Sequence, residues 1–282
     1  MLSTNLPGIV LALTAAFAWG SGDFAGGYAT RRSNQYYVLA LSSFSGLVMA
    51  VIAAFLWRER FPALQGILFA MTAGVSGGLG IAALYRALSI GRAASVAPTS
   101  GVIGAALPVI FTALTQGLPA PLKLVGFGLA FAGIWLVSAA HSDDKNGLAH
   151  QGFVLACLAG VGFSGFFILL GLVEPGKIFT PVILARFTAT CTALVLIKIK
   201  RLPLPKLTTN PVALLAGVLD AGGNLFYILS KQLIRLDIVV VIASLYPAAT
   251  VFLSGVILKE KVSRSQWLGV LICLAAIILI TI

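Results

Sequence analysis

Apolar runs of about 20 residues follow one another along nearly the whole chain, and this limits the fold more than any other feature. A helix of about 20 mostly apolar residues crosses the roughly 30 Å hydrocarbon layer of a bilayer. Ten segments meet that length, near 6–28, 34–57, 63–86, 93–116, 120–140, 151–173, 178–199, 211–233, 237–258 and 264–282. The expected fold class is therefore all-α, a polytopic membrane protein. The balance of residues agrees: 59% of the 282 residues are hydrophobic and 10% are charged, where a soluble domain is about a quarter charged. So few charges cannot cover a water-soluble surface, and the missing polar surface faces the lipid bilayer. The formal charge of +11 does not point to nucleic acid. Its Lys and Arg residues sit in short clusters between apolar runs, where they meet lipid headgroups.

The runs also repeat. Pro121-Leu-Lys-Leu-Val-Gly-Phe-Gly-Leu-Ala-Phe-Ala-Gly-Ile-Trp-Leu-Val137 is echoed by Ser265-Gln-Trp-Leu-Gly-Val-Leu-Ile-Cys-Leu-Ala-Ala-Ile-Ile-Leu-Ile280, with Gly126 on Gly269 and Ala132 on Ala275. Gly8-Ile-Val-Leu-Ala12 falls on Gly152-Phe-Val-Leu-Ala156. Ala83 to Ser89 matches Leu225 to Ser230 with a small slip. The offset is about 143 residues, half the chain, and repeats of membrane spans are a common plan for transporters. The chain divides into a first five-helix repeat (1–140), a linker (141–150) carrying His141-Ser-Asp-Asp-Lys-Asn-Gly147, and a second five-helix repeat (151–282). Five is odd, so the second half enters the membrane upside down. The expectation is ten transmembrane helices as two inverted five-helix repeats.

Basic residues set the orientation. With the N-terminus outside, the inside loops hold twelve Lys and Arg residues, among them Arg31, Arg32, Lys200 and Arg201, and the outside loops hold six. That excess favours both termini outside, in a cell (inner or plasma) membrane. Met1 to Pro7 carries no basic residue, so the first span reads as retained rather than as a cleaved signal.

Small residues recur four apart, as in Gly74/Gly78 and Gly217/Ala221, a spacing that lets helices approach closely in lipid. Ser76-Gly77-Gly78 and Ala221-Gly222-Gly223 fall on the third and eighth spans, which are repeat mates. They read as a hinged or solute-lining pair. Pro98 and Pro108 in the fourth span, and Pro247 in its mate the ninth, predict kinks.

Ionisable residues at membrane depth are functional candidates by default. Asp23 and Trp19 lie on the first span, Arg186 on the seventh and Asp220 on the eighth; Arg86, near the end of the third, is placed to snorkel. Asp220, Gly223, Asn224, Tyr227 and Lys231 share one face of the eighth span. Asp220 and Asp23 are the expected sites for a coupling proton or a cationic group. Asn224 and Tyr227 are the expected hydrogen-bonding groups, and Trp19, Tyr85 and Tyr246 the aromatic walls. The competing reading is a purely structural network, for instance Asp220 paired with Arg186. Cys157, Cys191 and Cys273 stand isolated in apolar runs, and His141 and His150 flank the linker, so no metal site or cofactor is expected. No catalytic motif or phosphate loop is present.

Tyr246-Pro247, Lys259-Glu260 and Gln266-Trp267-Leu268-Gly269 resemble the EamA family of the drug/metabolite transporter superfamily. So do Tyr85-Arg-Ala-Leu-Ser-Ile-Gly91 through Ala97-Pro98, and Ala18-Trp19-Gly20. Gln116-Gly117 departs from the Gly-Glu pair of many members. The resemblance covers essentially the whole chain. It implies two inverted five-helix repeats around a central cavity, alternating access, and small-solute transport, with many bacterial members acting as exporters. The function expected is a secondary active transporter, in the export direction, moving a small polar or amphipathic metabolite and coupled to protons, as a monomer or homodimer. A passive channel on the same fold, and a membrane-embedded enzyme using Asp23 and Glu174, are the alternatives.

Overall fold

A computed structural model describes residues 2–30, 32–57, 59, 61–90, 93–138, 148–257 and 263–281. Its helices in the first half are α1 (Leu2–Thr30), α2 (Gln35–Trp57), α3 (Leu64–Ile90), α4 (Ala93–Gln116) and α5 (Pro121–Ser138). The second half holds α6 (Leu148–Gly171), α7 (Phe179–Ile199), α8 (Pro211–Leu233), α9 (Leu236–Ala243), α10 (Tyr246–Ile257) and α11 (Arg264–Thr281). Among the described residues, seven helices are long and apolar enough to cross a membrane, and shorter apolar helices lie at Pro121–Leu136, Leu236–Thr250 and Trp267–Ala276. Large apolar side chains such as Phe17, Phe55, Leu114, Val195 and Leu215 stand exposed around the outside, as a lipid-facing surface requires.

The ninth span departs from expectation. A single kinked helix over 237–258 is replaced by α9 and α10, interrupted at Ser244 and Leu245. Proline at 247 has no N–H to offer the carbonyl four residues back, so α9 ends before it and α10 starts afresh with Pro247 as its second residue. Leu245 N donates to Ile242 O at 3.1 Å and Ala248 N to Leu245 O at 2.9 Å, which closes the break with tight turns. By contrast α4 continues through Pro98 and Pro108. The expected linker also shortens. Residues 141–147 lie outside the described residues, and Leu148 to His150 already belong to α6.

Most of the packing runs between the halves and obeys the repeat. α1 lies on α8, and its mate α6 lies on α3; α2 lies on α8, and its mate α7 lies on α3; α5 pairs with α11. The match reaches single atoms. Ser45 Oγ donates to Leu214 O at 2.7 Å, and Thr188 Oγ1 donates to Met71 O at 2.9 Å; all four residues are mates at the repeat offset. A Cβ on Gly217 would strike the Ser42 carbonyl and Ser45 hydroxyl, and one on Gly74 would strike the Ala185 carbonyl and Thr188 hydroxyl. Without a hydrophobic drive between helices in lipid, this close approach supplies the association energy. The mates α3 and α8 run in opposite directions. Asn210, at the start of α8, donates from Nδ2 to Ala29 O near the end of α1, whereas two short connections return α3 to the face where α1 begins. We call that face, with the α2–α3 and α6–α7 connections, the first face, and the opposite one the second.

The central post is α9, buried on every side from Leu236 to Ala243. Its first-turn Asp237 is fully buried. It is bound by Arg235, which also donates to Gly117 O at 3.0 Å.

Replacing Gly74 or Gly217 by Ala should lower the melting temperature in detergent by several degrees, because overpacking costs about 1–3 kcal/mol. Gly222→Ala, where an added Cβ meets nothing within 4 Å, should leave it unchanged.

Candidate functional site

Helix α8 opens with Asn210, whose side-chain oxygen accepts from Ala213 N at 3.2 Å, followed by Pro211 where a missing N–H costs nothing. Its small and polar residues, including Ala216, Gly217, Ala221, Gly223 and Asn224, are buried, while Leu215 and Val218 face outward. This stripe turns Asp220 and Asn224 towards α1 and α7. On α1, Trp19 lays its indole on Gly223, where a Cβ would meet the ring. In the other half Phe163 sits on Gly80 in the same way, a would-be Cβ lying 3.0 Å from its ring. Gly80 and Gly223 are mates, so both glycines are seats for rings.

The Trp19 Nε1–H is shared between Asn224 Oδ1 at 3.0 Å and Asp220 O at 3.2 Å. This fixes the amide: its oxygen is taken, and its nitrogen points elsewhere. Arg186 on α7 is ion-paired with Asp220. Two buried polar atoms among the described residues have no partner, Arg186 Nε and Asn224 Nδ2. Both residues are nearly sealed, at 5% and 1% exposure. An unpaired buried donor is costly, and both residues line an open space.

That space is a hollow of about 90 Å³, partly open to the surroundings. Its polar wall is Trp19, Asp23, Arg186, Asp220, Asn224 and Tyr246. Its apolar wall comes from α3, with Gly74, Gly77, Gly78, Ile81 and Leu84, and from α6, with Phe163, Phe166 and Phe167. Asp23 has no hydrogen bond or ion pair among the described residues. Asp23 and Asp220 share the wall with one guanidinium, and Asp220 takes it, so Asp23 is the acid left without a counter-ion there. Such a wall can take a proton or a cation at Asp23 and offer donors to an acceptor near Arg186 and Asn224.

Of the residues singled out in the sequence, six gather here: Trp19, Asp23, Arg186, Asp220, Asn224 and Tyr246. Tyr227 does not line the hollow. It is fully buried behind it, donating from its hydroxyl to Phe167 O at 2.7 Å, with its ring 5.7 Å from Trp19 and 5.4 Å from Phe167. It braces the aromatic wall. The side chain of Tyr85 lies outside the described residues. The ion pair between Asp220 and Arg186 exists, and the hollow exists beside it. Gly77 and Gly78 line the hollow, but Ala221, Gly222 and Gly223 do not; Gly223 seats Trp19, and α3 and α8 run unbroken through both clusters. The phenylalanines on α6 carried no signal in the sequence, since one apolar residue in a span looks like another. The nearest clue was their place opposite Trp19 in the repeat.

Asp220→Asn is expected to destabilise the protein by about 3 kcal/mol, because it strands a buried guanidinium. Pairing it with Arg186→Gln should restore much of the loss in a detergent melting experiment. If the double variant melts no higher than the single one, the ion pair does not carry that stability.

Comparison with known proteins agrees with this architecture. A crystal structure of a protein 16% identical in sequence superposes with a TM-score of 0.74, covering 96% of this chain and 95% of that one. At that identity the likeness concerns the fold. Among curated proteins, none matches this sequence. The profile of the EamA-like transporter family matches twice, over residues 6–139 and 150–282. With each half filling that profile in turn, the chain belongs to the EamA-like transporter family, in the drug/metabolite transporter superfamily.

Proposed function

We propose that the protein is a secondary active transporter that exports a small polar or amphipathic metabolite across the cell (inner or plasma) membrane by alternating access, coupled to protons. Ten segments cross the membrane in this reading, with α9 and α10 together forming one. The basic-residue excess puts both termini, and the first face, outside.

The observation that carries the reading is the pair of unpartnered donors, Arg186 Nε and Asn224 Nδ2, buried at the wall of a hollow between the halves. A purely structural network would have consumed them, since buried polar groups are nearly always satisfied. A bound solute with a carbonyl, carboxylate or similar acceptor would satisfy both. Asp23 would hold a cationic group or the coupling proton, and the apolar wall of α3 and α6 would take the solute's carbon skeleton. Trp19 and Tyr246 would shape the pocket around it, while Tyr227 supports the wall from behind.

The test is a thermal-shift panel of small metabolites on the purified protein, followed by transport in proteoliposomes. A solute that stabilises the protein is expected to lose about tenfold in affinity in Asn224→Ala, the effect of one lost hydrogen bond to a polar group. It should also show counterflow, which a carrier gives and a pore does not. Equal stabilisation of the parent protein, Asp220→Asn and Asn224→Ala would place binding elsewhere, and transport without counterflow would make the protein a passive facilitator.

A further inference from the structure

Among the described residues, the first face carries a contact that the repeat does not duplicate. Glu59, in the α2–α3 connection of the first half, reaches across to the start of α7 in the second half. Its carboxylate accepts from Ile178 N at 2.8 Å, Phe179 N at 3.1 Å and Thr180 N at 3.0 Å. Glu174, in the α6–α7 connection of the second half, reaches back to the start of α3. It accepts from Ala63 N at 2.6 Å. Its other carboxylate oxygen fills the place where a Cβ of Gly66 would stand. Each half therefore caps a helix of the other. Carboxylates suit helix N-termini, where free N–H groups and the helix dipole both favour negative charge, and such charge-assisted bonds are strong. Gln232 steadies the connection that bears Glu174, accepting from Gly176 N at 3.2 Å and donating to Lys177 O at 3.4 Å.

Among the described residues the second face shows no such exchange at the matching positions; Arg31, which matches Glu174, lies outside them. At the repeat offset Glu59 corresponds to Leu202, whose side chain accepts nothing. The start of α7 corresponds to the start of α2, where Tyr36 N donates to Asn34 Oδ1 at 2.9 Å, a cap supplied by its own half. Contacts that occur in both halves, such as Ser45 to Leu214 and Thr188 to Met71, survive if the halves exchange shapes. A contact found, among the described residues, at one face alone does not. It therefore distinguishes one state of the protein from the other, which is what a change of state must be built on. The hollow agrees: on α3 its lining starts at Gly74 and runs on to Leu84, towards the second face. Phe166 and Phe167, near the first-face end of α6, form part of its wall.

We infer that Glu59 and Glu174 form a crossed latch that closes the first face, and that both caps must release before the hollow opens there. This rests on the alternating-access reading above. The latch is a gate made of helix N-termini rather than of paired side chains. No counter-cation is required, so release returns each carboxylate and each helix start to water.

Thiol labelling tests this without any solute. Cys157, Cys191 and Cys273 are replaced by Ala, and Ala189→Cys, on the wall of the hollow, reports access to a membrane-impermeant maleimide in sealed vesicles. A separate Phe61→Cys variant, exposed in the α2–α3 connection, identifies the first face. In the latched protein Ala189→Cys is expected to react from the second face. Glu59→Ala and Glu174→Ala should each raise its labelling from the first face about tenfold, the population shift given by roughly 1.4 kcal/mol, and lower it from the second. Gly66→Ala should do the same, because the added methyl expels the Glu174 carboxylate while both acids remain. Glu59→Gln, which keeps an accepting oxygen, should give a smaller rise. Unchanged first-face labelling in variants that still melt cooperatively would reduce the two caps to static supports and overturn the proposal. A protein that binds no solute would leave this readout intact, so the two claims fail separately.

Discussion

The architecture depends on how polar groups are settled in a medium that offers them no water. Arg186 and Asp220 neutralise one another at the meeting of α7 and α8. Alone, either would be a buried charge that lipid-facing helices could not support. Trp19 then fixes Asn224 and crosses from α1 to α8. Around this knot the glycines of α3 and α8 allow the backbones to close. What remains unsatisfied, one guanidinium N–H and the two N–H of one amide, belongs to residues that line the hollow.

Symmetry and its violations divide the labour. The scaffold contacts come in mated pairs, down to a serine and a threonine hydroxyl on equivalent carbonyls. The chemistry does not. At the repeat offset Asp220 corresponds to Gly77, Asn224 to Ile81 and Arg186 to Ser43, so the duplicated frame carries a polar wall on one side and a smooth apolar wall on the other. This inequality suits the amphipathic solute proposed above, and the equality beneath it suits the proposed rocking of the frame.

Much of this was legible in the sequence, for a physical reason. Charged and amide side chains within apolar spans violate the medium around them, so Asp23, Arg186, Asp220 and Asn224 could be read without coordinates. The repeat likewise survives as matched glycines. Tyr227 misled because its position on the polar face of α8 says nothing about depth; its hydroxyl is already spent on Phe167 O. Phe163, Phe166 and Phe167 were invisible because an apolar residue lining a hollow and one touching lipid look alike in a span. The break at Ser244 and Leu245 was foreshadowed by Pro247, but a proline alone does not distinguish a kink from an interruption. Glu59 and Glu174 gave little sign, since a loop carboxylate reveals its partner only when the other half is folded against it.

The central claim is that the two spare donors exist to meet a solute. Its most direct test is a structure determined with a transported solute bound. The account predicts an acceptor atom of that solute within hydrogen-bonding distance of both Arg186 Nε and Asn224 Nδ2, with the Arg186–Asp220 pair still in place. Density for the solute elsewhere, with those two nitrogens bonded to protein groups instead, would contradict it.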